Sequence, residues 1–246
     1  MSSQRLFPHQ IFALVYFFLF LILWIVLAID PHDRSDWALE NALVLFLVIG
    51  LVATARRFPF STISYSLLFV FLCIHEVGAH YTYSNVPYDA WVESLFGNTL
   101  NDTMGWERNH FDRLVHFSYG LLLAYPIREI FHRVAHVKGF WGYFLPLDVT
   151  MSSSMIFELI EWGAAEFFGG ELGQAYLGTQ GDIWDAHKDM GLATLGAIIA
   201  MLVTAGINVY LQRDFAYEWA ESLRVKGKKP LGDYEIRRLW KKKKGS

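Results

Sequence analysis

A long apolar run without charges near the start of the chain constrains the fold more than any other feature. Residues 11–29 contain no Asp, Glu, Lys or Arg. A membrane-spanning helix needs about 20 mostly apolar residues at a rise of about 1.5 Å each, so this run is long enough to cross a bilayer. The 246-residue chain is 54% hydrophobic, which is more than a water-soluble domain usually contains. The sequence therefore predicts an integral membrane protein.

Five more apolar segments follow, which predicts an all-α fold: a polytopic transmembrane helical bundle of about six spans. The five segments are residues 37–55, 61–80, 110–131, 140–167 and 188–211. We divide the chain into a six-span transmembrane domain, residues 1–211, and a basic cytoplasmic tail, residues 212–246. Only 18% of the residues are charged, so disorder and a basic nucleic-acid-binding surface are excluded, and we expect no nucleic acid partner.

Basic residues in the linkers predict the orientation of the bundle. The linkers on one side, together with the tail, are rich in Lys and Arg, whereas those on the other side are rich in Asp and Glu. The linker bases that define the basic side are Arg56, Arg57, Arg128, Arg133 and Lys138. Positively charged linkers stay in the cytoplasm, so both termini are expected there.

The tail begins with apolar residues at helical spacing, Phe215, Trp219 and Leu223, and then becomes strongly basic. Such a segment can lie on the anionic lipids of the inner leaflet. It can equally act only as a topology signal with a disordered end. Neither use assigns an activity to the tail.

Each of the last four predicted spans carries ionisable residues toward its non-cytoplasmic end. A charge at the bilayer centre costs about 3 kcal/mol or more, so each such residue needs a partner or a function. Residues three or four apart share one helix face, and every one of these four helices offers such a pair. The pairs are Glu76 with His80, Asp112 with His116, Glu158 with Glu161, and Asp185 with Asp189.

Carboxylates and imidazoles that project inward from facing helices are typical of metal sites in helical bundles. The candidate metal ligands are His75, Glu76, His80, Asp112, His116, Glu158, Glu161, Asp182, Asp185 and Asp189. The acids in this set outnumber the nearby bases Arg108, Arg113 and Lys188. This excess predicts protonation, a bound cation or a cationic substrate. The alternative is a purely structural network, in which Arg113 would pair with Glu158 or Asp189.

Four segments in the region of the third to sixth predicted spans resemble the YjdF-type inner-membrane proteins of bacteria, a family of unknown function. They are HEVGAHYTYSNVPYD (75–89), RNHFDRLVHFSYG (108–120), FELIEW (157–162) and LGTQGDIWDAHKDM (177–190). The resemblance implies a multi-pass protein of the bacterial inner membrane, and the polar pairs lie in these same segments. A more distant similarity is to VanZ-like membrane proteins. Their D-x-x-x-H-F pattern is matched by Asp112, His116 and Phe117, and the acid on their next helix by Glu158. Their D-x-x-D-x-x-x-[ND]-x-x-G pattern is matched by Asp182, Asp185 and Asp189, with Leu192-Ala193 in place of the glycine.

Three functions fit this pattern. The first is an enzyme in which a divalent metal of unspecified identity activates water or polarises a phosphoryl group of a lipid or glycolipid head group. Its catalytic residues would be Asp112, His116, Glu158 and Asp185. The second is a proton- or cation-coupled transporter, and the third is a non-catalytic membrane factor held together by its polar network. The chain lacks Gly or Pro pairs in two corresponding halves, which counts against the transporter.

The predicted orientation can be tested with a reporter enzyme that is active only in the periplasm. Fused after Ser246, this reporter should be inactive, because the basic linkers hold both termini in the cytoplasm. The same reporter inserted in the acidic linker at residues 81–109 should be active. An active fusion after Ser246 would invert the bundle and move the polar pairs to the cytoplasmic face.

Overall fold

The structure is a computed structural model that describes residues 8–170, 177, 179–211, 214–226 and 231–244. All regular structure in these ranges is helical, which confirms the predicted all-α membrane fold. Gln212, where the tail is predicted to begin, lies outside the described residues, as does part of the basic run that follows Arg224. The division of the chain at this point stays a prediction.

Six long helices occupy the places of the six predicted spans, and short helices precede α6 and follow α8. Within the described ranges the helices are α1 (Pro8–Leu27), α2 (Arg34–Thr54), α3 (Thr62–His80), α4 (Tyr88–Phe96), α5 (Leu100–Met104), α6 (Phe111–Val134), α7 (Trp141–Phe168), α8 (Asp185–Leu211), α9 (Phe215–Ser222) and α10 (Leu231–Lys244). The ends of the long helices lie within about three residues of the predicted ends.

Four of the long helices, α1, α2, α3 and α8, are long and apolar enough to cross a membrane by length and composition. The other two, α6 and α7, have 24 and 28 residues and carry more charged groups. Both pack along α8 and against each other. A helix of that length that packs along the spanning helix α8 must run through the same bilayer. We therefore infer that α6 and α7 also cross the membrane.

Local sequence signals explain where two of these helices begin. The side chain of Asp33 accepts hydrogen bonds from the backbone N–H groups of Ser35 and Asp36 at 2.7 and 2.9 Å, which caps the start of α2. The hydroxyl of Ser61 accepts from the N–H of Ser64 at 3.2 Å and caps α3 in the same way. Such caps satisfy N–H groups that have no partner inside the helix.

Helix α6 is the centre of the bundle and packs against α3, α7 and α8. Its contact with α8 is a backbone-to-backbone approach. A Cβ atom on Gly120 would overlap the carbonyl oxygen of Ala193, and one on Gly196 would overlap the carbonyl oxygen of Phe117. Small residues permit such close packing in membranes. His116 lies one helical turn before Gly120, and Asp189 lies one helical turn before Ala193. The close approach of the two helices therefore also brings these two polar side chains together.

Residues 81–109, which we call the lid, cover one end of the bundle. They contain α4 and α5, and hydrogen bonds tie them to the start of α6. The hydroxyl of Tyr88 donates to Oδ1 of Asn101 at 2.7 Å and accepts from the backbone N–H of His110 at 2.9 Å. Val86 is buried against Phe71 and Phe111. We call this end of the bundle the lid end.

The opposite end of the bundle carries α9. Phe215 and Trp219 lie in this helix, which ends at Ser222, one residue before Leu223, and both pack against the buried Tyr143. The hydroxyl of Ser222 accepts a hydrogen bond from the backbone N–H of Phe140 at 3.0 Å. This part of the tail therefore contacts the bundle directly.

The close approach of α6 and α8 makes a specific prediction about stability. Replacing Gly120 with Ala should destabilise the protein by about 1–3 kcal/mol, because the methyl group must push two helix backbones apart. The measurement is the melting temperature in mild detergent. Gly206→Ala is the matched control, since a Cβ atom on Gly206 of α8 meets open space. A Gly120→Ala variant as stable as this control would contradict the packing.

Candidate metal centre and polar cavity

Three of the predicted site residues form a compact group at the lid end of α6 and α8. Asp112, His116 and Asp189 each offer one ligand atom, and these atoms all lie within 4.8 Å of one another. Asp112 and His116 are one turn apart on α6, and their Oδ1 and Nε2 atoms are 3.5 Å apart. His116 and Asp189 are buried. The spacing of these atoms suits a single metal ion held between the two helices.

A fourth group, Glu158 of α7, reaches the same place, with Oε1 at 3.7 Å from Nε2 of His116. We call Asp112, His116, Glu158 and Asp189 the acidic centre. Oε1 of Glu158 and Oδ1 of Asp189 are shielded from solvent, and neither has a hydrogen bond within the described part of the chain. Buried polar atoms almost always have a partner, so each of these two oxygens indicates a bound proton or cation beside it.

The donor set of the acidic centre is one imidazole nitrogen and three carboxylates. Imidazole and carboxylate ligands together suit divalent transition metals such as Mn²⁺, Fe²⁺ or Zn²⁺. The three ligand atoms that lie within 4.8 Å of one another come from α6 and α8, and Glu158 approaches His116 from α7. The folded bundle would therefore hold this geometry before the metal arrives. The residues present therefore fit the divalent metal that the sequence predicts.

Asp182 and Asp185, which the sequence also proposes as ligands, are occupied by basic side chains instead. Nη1 of Arg108 donates to Oδ1 of Asp185 at 2.6 Å, and its Nη2 approaches Oδ2 at 3.3 Å. Nη2 of Arg113 and Nζ of Lys188 both donate to Oδ2 of Asp182, at 2.5 and 2.6 Å. We call these five residues the outer network. Arg113 thus pairs with Asp182, and not with Glu158 or Asp189 as the structural alternative expects.

The basic partners of Asp182 affect its protonation. The hydrogen bond from the Lys188 ammonium, followed by that from the backbone N–H of Trp184, lowers the pKa of Asp182 from 3.8 to about 2. Asp182 therefore stays ionised at any physiological pH. Its negative charge is compensated within the outer network, so it has little tendency to recruit a metal ion.

A second polar cluster faces the acidic centre and consists of Glu40 of α2, His75 of α3 and Tyr83 of the lid. The Tyr83 hydroxyl donates to Oε2 of Glu40 at 3.2 Å and lies 2.8 Å from Nδ1 of His75. Nε2 of His75 is 4.0 Å from Oε2 of Glu40. Burial raises the pKa of the Tyr83 phenol, and the neighbouring Glu40 carboxyl raises it further. Tyr83 therefore remains a neutral hydrogen-bond donor.

A cavity of about 420 Å³ separates the second cluster from the acidic centre. Its polar end lies under the lid and is lined by Asp36, Glu40, His75, Tyr83, Asp112, His116 and Glu161. Its deeper part is lined by apolar side chains of α2, α3, α6 and α7, including Leu47, Phe71, Leu123, Ile156 and Phe157. The cavity is thus amphiphilic, with its acidic end at the lid end of the bundle.

The remaining predicted ligands lie apart from the acidic centre. Glu76 is fully buried beside Asn41 of α2. Nδ1 of His80 lies 2.8 Å from the carbonyl oxygen of Leu27, at the end of α1. Glu161 lines the cavity one turn beyond Glu158. The structure therefore brings His75 and Glu161 to the cavity and leaves Glu76 and His80 outside it.

Sequence reasoning missed Asp36 and Glu40 of α2 as members of the site. Both are only 2% exposed. They are four residues apart and share one helix face, so the spacing rule applied to the other spans would have found them. Sequence reasoning did not assign Tyr83 to the site either, because nothing in a linker sequence shows which ring turns inward.

Comparison with known proteins places this arrangement in a family. Residues 12–209 match the family model described as "Predicted membrane protein (DUF2238)". The chain belongs to this family. All four residues of the acidic centre fall within the matched range. No solved structure matches the chain.

This DUF2238 protein is also 38% identical over 195 residues to the inner membrane protein YjdF of Escherichia coli (strain K12). The alignment covers 79% of this chain and 89% of that relative. The resemblance to YjdF-type proteins is confirmed, and the chain is a multi-pass inner-membrane protein. The similarity to VanZ-like proteins, the orientation of the termini and the roles of the site residues stay predictions.

The outer network predicts how stability depends on pH. The pKa of Asp182 is lowered by folding, so its ion pairs contribute stability that is complete above the unfolded value of 3.8 and is lost as the pH falls through about 2. Replacing Lys188 with Met should therefore lower the melting temperature at neutral pH, and the difference from the natural protein should shrink between pH 4 and pH 2. A difference that does not change over this range would contradict the assignment.

The matched control is Lys138→Met. Lys138 is more exposed than Lys188, and its Nζ lies 3.9 Å from Oε1 of Glu218, a distance typical of a weak surface pair. This variant should leave the melting temperature nearly unchanged at neutral pH.

Proposed function

We propose that this protein is a metal-dependent membrane hydrolase or transferase that acts on a lipid or glycolipid head group. One observation carries the proposal: three ligand-type side chains of α6 and α8 converge beside an amphiphilic cavity, Glu158 of α7 approaches one of them, and two buried oxygens of these four residues lack a partner among the described residues. Asp112 and His116 line the cavity directly. A metal ion held by them would be within reach of a molecule in the cavity.

The residues of the acidic centre have distinct proposed roles. Asp112, His116 and Asp189 hold the divalent metal. When bound, such a metal supplies Lewis-acid activation of a water molecule or of a phosphoryl oxygen. Glu158, 3.7 Å from Nε2 of His116, either completes the ligand set or accepts a proton from the activated water. Asp185 acts through Arg108 and not as a catalytic residue, because both of its oxygens interact with that guanidinium.

The proposed chemistry takes place at the non-cytoplasmic face. The lid end carries the linkers rich in acids, whereas the opposite end carries Arg56, Arg57, Arg128, Arg133 and Lys138. By the positive-inside rule the lid end faces outward and both termini are cytoplasmic. Helix α10 has exposed Ile236, Leu239 and Trp240 beside a run of lysines, which suits it to anionic lipids of the inner leaflet.

The experiment that tests the proposal measures metal binding. The full-length protein is purified in mild detergent, stripped of metal, and titrated with Mn²⁺ or Zn²⁺ against a chelator. We expect one ion per chain. Asp112→Asn and Asp189→Asn should each weaken binding by at least about 100-fold, because a directly bound ligand matters at least as much as its hydrogen-bonded neighbours.

Asp182→Asn is the matched control, since it changes the same side chain in the outer network and leaves the acidic centre intact. It should retain the metal. The melting temperature of each variant shows that the bundle is folded. Full metal binding by Asp112→Asn and Asp189→Asn, or no binding by the folded natural protein, would contradict the proposal and favour a structural polar network.

A further inference from the structure

The cavity is open sideways, toward the surroundings of the bundle. Helix α2 packs on α3, while α7 packs on α6 and α8, so the cavity lies between α2 and α7. The side chains along this edge are both lining and exposed: Phe46 is 80% and Ile156 is 52% exposed. In a membrane this surface meets lipid. A molecule can therefore enter the cavity from the bilayer without crossing the lid.

The size and polarity of the cavity match an amphiphile that stands upright in the membrane. A volume of about 420 Å³ lies within the range of small-molecule sites, roughly 300–1,000 Å³. The polar groups lie under the lid, at the level expected for lipid head groups, and the apolar lining lies deeper along the helices. A hydrocarbon chain would occupy the apolar part while its head group meets the acidic end.

The charge of the cavity selects the head group. The described residues that line it include the acids Asp36, Glu40, Asp112 and Glu161 and no Lys or Arg. The three basic residues nearby are engaged in the outer network. An anionic group beside Glu40 would be repelled, whereas a cationic group would be attracted.

The hydrogen bonding around Glu40 makes the requirement more specific. Oε2 of Glu40 accepts a hydrogen bond from the Tyr83 hydroxyl at 3.2 Å, and a carboxylate oxygen can accept more than one. Nε2 of His75 lies 4.0 Å from the same oxygen, which is too far for a hydrogen bond. A head group with N–H donors can therefore bond to Oε2 of Glu40, which a head group without such donors cannot do.

We propose that the cavity binds a chain-bearing amphiphile with a primary ammonium group in its head, that this molecule enters between α2 and α7, and that Glu40 holds its ammonium. That the bound molecule is also a substrate rests on the proposed function; the binding itself does not. A primary ammonium supplies both the positive charge that the acids favour and the N–H donors that Oε2 of Glu40 accepts.

The experiment uses photoreactive probes with one dodecyl chain and four different heads: primary amine, trimethylammonium, maltoside and phosphate. The full-length protein in phosphatidylcholine vesicles is labelled in the presence of EDTA, and mass spectrometry measures the labelled fraction and the labelled residues. We expect the amine probe to label residues of the cavity at least about tenfold more than the other three probes, the difference that one charge-assisted hydrogen bond makes.

Two pairs of variants separate the site from general membrane labelling. Ile156→Trp fills the opening and should reduce cavity labelling by at least about tenfold, whereas its exposed neighbour Met155, which does not line the cavity, should tolerate the same change. Glu40→Gln should abolish the preference for the amine over the trimethylammonium probe. Glu93→Gln, in the lid and away from the lining, should preserve that preference.

Equal labelling by the amine and phosphate probes would overturn the proposal, as would unchanged labelling of Ile156→Trp. If Ile156→Trp fails to fold, the Glu40→Gln result and the position of the labelled residues still decide the matter. Labelling that depends on the head group in EDTA, without any metal binding in the titration above, would support this proposal and contradict the proposed function. Metal binding in the titration, together with labelling that does not depend on the head group, would contradict only the proposed binding of the amphiphile.

Discussion

The close approach of α6 and α8 sets the geometry on which the acidic centre depends. In a bilayer the hydrophobic effect does not press helices together, so close packing of small residues and polar contacts must do so. Gly120 and Gly196 leave no room for a Cβ atom between the two backbones. One turn toward the lid end, this spacing holds His116 against Asp189. A wider crossing would separate the ligand atoms beyond the reach of one ion.

The distribution of bases distinguishes the acidic centre from a structural polar network. A bundle that used its charges only for stability would pair buried acids with the available arginines. Here Arg108 and Arg113 are engaged by Asp182 and Asp185, although Asp185 is itself buried. Glu158 and Asp189 keep oxygens without partners among the described residues. Uncompensated carboxylates in a membrane are costly. This distribution of charge therefore favours a bound cation at the acidic centre over a purely structural polar network.

Hydropathy and spacing predicted the membrane fold, the long helices and the pairing of Asp112 with His116, because all of these depend on residues close together in sequence. The choice of partners could not be predicted, since three bases and several acids allow many pairings that only packing decides. Asp182 and Asp185 were therefore expected at a metal and lie with arginines instead. Glu40 was not assigned to the site because its partner Asp36 lies just outside the predicted second span, residues 37–55, so the pair was not recognised.

The depth of the polar groups argues for chemistry at one face over transport across the bundle. Asp112 and His116 lie in the first two turns of α6, Asp189 in the second turn of α8, and Glu158 in the last three turns of α7. Coupled transporters hold their ligands near the midplane, where two halves can alternate around them. The deeper lining of the described cavity is mostly apolar: its polar side chains are Tyr119 and Ser153, joined by a hydrogen bond of 2.6 Å, and Ser154. A hydrocarbon chain is stable in that lower part and an ion is not, so the cavity suits a lipid held by its head at the lid end.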